Sequence, residues 1–96
     1  MIVINRTETE ITIKGHAKFA PHGEDIVCAA VSVLVQTFIA SIEELTTDKI
    51  NSVIGAGKAI IQHGNLSERG TVLLDSFLLG LNMISESFPD HVRIIA

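Results

Sequence analysis

Residues 15–45, GHAKFAPHGEDIVCAAVSVLVQTFIASIEEL, decide how the chain is arranged. Gly15, Pro21 and Gly23 interrupt any regular period, so residues 15–23 read as a loop with freedom to move. Asp25 then offers an N-cap carboxylate, with Cys28 at the N3 position whose backbone N–H can bond to the cap. From 26 to 45 the pattern predicts a helix with apolar side chains around almost its whole circumference. Such a helix is buried on more than one side, between a sheet and another helix or against a second subunit. Its charge-free run, 26–42, falls short of the roughly 20 residues that a spanning helix needs and is broken by Ser32, Gln36, Thr37 and Ser41. It therefore reads as a core helix.

Working outward toward the N-terminus, residues 1–5 and 9–14 are β-rich runs separated by Arg6, Thr7 and Glu8, the pattern of a hairpin. In the second run Ile11 and Ile13 alternate with Thr12 and Lys14, as a half-buried strand requires. Toward the C-terminus, residues 46–54 and 58–62 are again strand-like, joined by Gly55, Ala56 and Gly57, a composition suited to a tight reversal. No phosphate-loop motif accompanies those glycines. Asn65 to Glu68 has the spacing of a capping box. Leu66, Leu73, Leu74, Phe77, Leu78, Leu81, Ile84 and Phe88 then recur on one helical stripe until Pro89 forbids continuation. A last short strand is expected over 91–95. The order is ββαββαβ: an α+β fold, a single domain over 1–96, with a mixed or antiparallel sheet and two helices packed on one face.

Bulk composition narrows the function. Ninety-six residues suit one domain, burying roughly 60 to 65% of the surface that the unfolded chain exposes. The hydrophobic share is 47% with four Phe, no Tyr and no Trp, so the core is aliphatic and base-stacking platforms are disfavoured. A net charge of −4 with seven Lys and Arg lacks the clustered cations that neutralise phosphates. Direct nucleic-acid binding and membrane insertion are not expected, whereas a basic protein partner fits. The single cysteine excludes an intramolecular disulfide, and no basic segment leads into an apolar signal run, so a cytoplasmic protein is expected.

The chemistry-bearing residues collect in the opening stretch. It holds the one cysteine, Cys28, and two of the four histidines, His16 and His22. A thiol in the first turn of a helix meets the positive end of the macrodipole and unpaired N–H groups, which favour a thiolate and could receive an oxyanion. An imidazole folded back from the loop would take the thiol proton and return one to a leaving amine. Taken alone, however, a single cysteine on an apolar helix reads as a small buried hydrophobe. His16, His22, His63 and His91 each read as solvated surface residues, Asp25 as a cap, and Ser32 as a hydroxyl bonded to its own helix. His16, His22 and Cys28 are also ligand types, but their spacing matches no usual zinc pattern. No metal or cofactor is expected.

Gly15-His16-Ala17, then Gly23, then Asp25-Ile26-Val27-Cys28-Ala29-Ala30-Val31-Ser32, strongly resembles the ribosomal-processing cysteine protease family, Prp. Leu79-Gly80-Leu81, Phe88-Pro89 and the closing strand are similar to that family's C-terminal half. The resemblance implies a dimeric bacterial cysteine endopeptidase that removes a short N-terminal extension from the large-subunit ribosomal protein numbered twenty-seven. Carried over by position, Cys28 is the nucleophile and His16 the general base, with Asp25 and Ser32 as supporting residues. The loop Ala17, Lys18, Phe19, Ala20, Pro21, His22 and Gly23 becomes a candidate lid, mobile when empty and ordered by substrate. The alternative from another class is a non-enzymatic ribosome-associated interaction module, in which the acidic surface docks a basic protein and Cys28 merely packs.

Overall fold

The alternating isoleucines fold as their pattern requires. In a computed structural model, which describes residues 1–21 and 23–95, Ile2, Ile4, Ile11, Ile13 and Ile61 turn to one side of a sheet and are buried. The strands are β1 (Ile2–Arg6), β2 (Glu10–Lys14), β3 (Asn51–Gly55), β4 (Lys58–Gln62) and β5 (Val92–Ile95). They lie in the order β3-β4-β2-β1-β5. All neighbours are antiparallel except β1 and β5, which run parallel because the chain reaches β5 only after crossing back over a helix. Register sets Ala59, Ile13, Ile4 and Ile94 in one row across four strands, the kind of cross-strand row that pins a sheet's alignment.

Helices α1 (Ile26–Leu45) and α2 (Glu68–Ser87) cover that face. On α1, Val27, Val31, Val35, Phe38 and Ile42 form the buried stripe, and on α2 Leu74, Phe77 and Leu81 do. The helices meet through Phe38 and Phe77, stacked with ring centroids 4.9 Å apart. Gly80 permits their close approach, since a Cβ there would stand 2.9 Å from Leu34 Cδ1. By length and composition α1 would suffice to cross a membrane, with a mean hydropathy of 2.0, but here its stripe completes the core. Its third side stays open, with Ile26 and Val33 exposed. The acidic end at Glu43 and Glu44 is met by Arg69, whose Nη1 donates to the Leu45 carbonyl at 3.2 Å.

Strands β1, β2 and β3 each shift by one residue at one end or both from the sequence reading, and three further boundaries differ for a visible reason. Strand β3 begins at Asn51 rather than at 46, because Thr46 and Asp48 build a helix-ending turn. The Thr46 hydroxyl donates to the Ile42 carbonyl (2.7 Å) and accepts from the Asp48 amide (3.0 Å). Helix α2 is capped by Ser67, not Asn65, and Ser67 Oγ accepts the Gly70 amide at 3.1 Å. That hydroxyl in turn donates to Asp48 Oδ2 at 2.7 Å, so the α1–α2 connection is cross-braced. Strand β5 starts one residue after His91, whose amide closes a turn onto the Phe88 carbonyl at 2.9 Å.

Candidate active site

Strand β2 and the β3–β4 turn set the loop's entry. As the chain leaves β2, the Gly15 amide donates to the Gly57 carbonyl at 2.8 Å, continuing the ladder past the strand ends. The His16 ring then lies against Gly57, where a Cβ would come within 2.6 Å of Nε2. Gly57 sits at φ +65, a conformation that a side chain disfavours, so the turn supplies a bare backbone as the seat of the imidazole.

Ala17, the next residue, is buried and held on both sides. Its N–H points at Cys28 Sγ at 3.4 Å, and its carbonyl accepts from His91 Nδ1 at 2.8 Å. Lys18 follows in the left-handed region at φ 55. The Phe19 amide donates to Asp25 Oδ2 at 3.0 Å, and its ring stands edge-on to Phe88 and to His91 with centroids 5.3 Å apart in each case. The expectation that His91 is a solvated surface residue is thereby corrected. His91 is half-buried, and His63 is buried, with Nδ1 donating to the carbonyl of its neighbour Gly64.

Asp25 joins loop to helix. Its Oδ1 accepts from the Val27 and Cys28 amides, both at 3.0 Å, while Oδ2 takes the Phe19 amide. The Cys28 amide does most to hold its carboxyl below the ordinary value of 3.8. Partial burial opposes this, and the amides of Phe19, Ala20 and Val27 add to it. This corrects one expectation: the Val27 and Cys28 N–H groups are committed to the cap, not left over for an oxyanion. The donor directed at the sulfur is the Ala17 amide instead.

Cys28 is a half-buried free thiol on the wall of a cleft of about 720 Å³ between the start of α1 and the β3–β4 turn. The same cleft is lined by His16, Asp25 and Ser32, and by Lys18, Ala20 and Gly23 of the loop. His22 lies outside the described residues. Apolar groups of Ile54, Ala59, Val31 and Val35 make up much of the rest of the lining, a surface suited to an extended peptide with apolar side chains. Sequence reasoning gave Gly57 no role beyond its turn and His91 none at all.

A family model described as cysteine protease Prp matches residues 1–93. The chain belongs to the Prp family. A ribosomal processing cysteine protease Prp from Mycoplasma genitalium is 36% identical, over 98% of this chain and 94% of that relative. The Prp of Staphylococcus aureus strain Mu50 is 27% identical, over 90% and 84%. Among solved structures, an essential Prp from S. aureus in complex with a covalently linked product peptide shares the fold. Its TM-score is 0.87 over 97% of this chain and 94% of that one, at 23% identity. SMU.848 from Streptococcus mutans superposes with a TM-score of 0.73 at 27% identity, covering 98% and 91%. As a Prp chain the protein is a ribosomal-processing cysteine protease, and the reading of a non-enzymatic interaction module gives way.

Proposed function

We propose that the chain removes a short N-terminal extension from the large-subunit ribosomal protein numbered twenty-seven, with Cys28 as nucleophile and His16 as general base. The observation that carries this is the shared cleft: thiol and imidazole line one peptide-sized cavity, and a buried amide, that of Ala17, is aimed at the sulfur. The Cys28 proton passes to His16, and the thiolate forms a C–S bond to the scissile carbonyl. The Ala17 N–H, released from the sulfur, stabilises the oxyanion. Collapse breaks the C–N bond as His16 protonates the leaving amine, and water, activated by the same imidazole, hydrolyses the thioester to restore the thiol. Asp25 supports this by fixing both the Cys28 backbone and Phe19, while Ser32, one turn along on the cleft wall, is offered to the substrate. The loop of residues 17–23 acts as the lid.

The S. aureus structures of this fold hold a product peptide and a substrate peptide, which supports a peptide in the same groove here. A net charge of −4 favours encounter with a basic ribosomal protein. We also propose a cytoplasmic homodimer. Its support is the unpartnered apolar surface of the helix layer: Val33 on α1 and Val72, Leu79 and Met83 on α2 are each more than 60% exposed. The last three recur at helical spacing on one stripe.

The test is mass spectrometry of wild-type protein incubated with two peptides, one spanning the N-terminal extension and one beginning at the mature terminus. A single cut in the first and none in the second is expected. An extended peptide left whole would refute the substrate assignment.

A further inference from the structure

We infer that His91 is a positioning residue for this reaction, acting through Ala17 on the Cys28 sulfur and on the adjoining His16; the inference rests on the protease reading above. Ala17 is the point of leverage. Its N–H faces Sγ at 3.4 Å while its carbonyl is held by His91 Nδ1 at 2.8 Å. A carbonyl oxygen only accepts, so Nδ1 carries a proton and is the donor in this bond. Ala17 is 2% exposed, so little water competes for either bond.

The loop does not hold this shape by its own preference. Lys18, immediately after Ala17, occupies the left-handed region at φ 55, which a side-chain-bearing residue disfavours. The bend is held from both ends. Before it, Ala17 is tied to His91. After it, Phe19 is tied to Asp25 through its amide and to Phe88 and His91 through its ring. His91 itself is anchored to the frame by its backbone: its amide donates to the Phe88 carbonyl at 2.9 Å, and its carbonyl accepts the Ile2 amide at 2.8 Å. The side chain thus braces Ala17, the first residue of the lid and the neighbour of His16, against the α2–β5 turn and the start of β1.

Packing alone and donation predict different variants to be tolerated. His91→Phe keeps a ring against Phe19 but has no donor. His91→Asn loses the ring yet places an amide N–H close to the Nδ1 position, while His91→Gln carries its donor one bond farther out. The experiment measures kcat and KM on the extended peptide for the full chain, together with amide exchange at Ala17 by NMR without substrate. For His91→Phe, kcat is expected to fall about tenfold with KM changed less than about twofold, and Ala17 exchange to accelerate at least about tenfold. His91→Asn should return kcat to within about threefold of wild type. His91→Gln should lose what Asn keeps, and it stands in if the Phe variant does not fold. Wild-type kcat and Ala17 protection in His91→Phe, or an Asn variant no better than Phe or Gln, would overturn the inference. A wild-type protein that cuts no peptide would sink the protease reading instead, and the exchange comparison would still decide the role of His91.

Discussion

The imidazole of His16 rests on the bare backbone of Gly57: a Cβ built there would stand 2.6 Å from Nε2 and 3.0 Å from Cε1. A methyl group must therefore displace the ring or distort the turn, and φ +65 adds about 1–2 kcal/mol of backbone strain for any side chain. Gly57→Ala is expected to lower kcat about 100-fold through misplacement of His16, with KM little changed. Steady-state kinetics with thermal melting check this. Wild-type turnover in a folded Gly57→Ala would show that His16 does not act from this seat.

Asp25 links pH to stability in a defined direction. Its folded-state pKa lies below the ordinary 3.8, chiefly because of the Cys28 amide, so the charged form stabilises the fold above that value. The contribution is lost as pH falls through the lowered folded pKa. Asp25→Asn retains an acceptor but not the charge, so its melting temperature should trail wild type at pH 7 and the gap should narrow as pH falls below 3.8. A gap that widens on acidification would contradict the assignment. With the cap mostly kept, Asp25→Asn should hold kcat within about threefold, whereas Asp25→Ala, which leaves three amides unpaired, should lose more.

Leu81 is fully buried on the α2 stripe. Leu81→Ala should cost about 2–5 kcal/mol in urea unfolding, combining lost transfer energy with a residual cavity. A loss under about 1 kcal/mol would mean that α2 docks more loosely than the packing against α1 implies.

The exposed apolar stripe on α2 makes the dimer testable. Leu79→Glu would bury a charge at an interface but leave a monomer's surface unharmed. Sedimentation should find wild type as a dimer and Leu79→Glu as a folded monomer. Equal masses for the two would move the interface elsewhere.

Features of local period were legible in the sequence. Ile2 and Ile4, Ile11 and Ile13, and the leucine stripe of α2 each obey a short-range repeat, and Asp25 announces its helix within three residues. Position 46 reads as strand from the β preference of Thr46 and Thr47, whereas the hydroxyl of Thr46 is used to end α1. Ser67 displaced Asn65 as cap because Asp48, distant in sequence, holds it in place. The site divides the same way. Cys28 at the N3 position and its cap could be read from the sequence, but Gly57 as a seat and His91 as a brace could not. Those roles exist only once β4 lies beside β2 and the α2–β5 turn meets the loop. The choice of His16 over His22 came from motif resemblance, since spacing alone treats the two alike.

The most direct test of the central claim is Cys28→Ala, assayed by mass spectrometry on the extended ribosomal-protein peptide alongside wild type. Circular dichroism and sedimentation should match wild type, because a half-buried thiol replaced by a methyl costs little packing, while cleavage disappears. A folded Cys28→Ala that still cuts at the wild-type rate would contradict thiolate catalysis at this site.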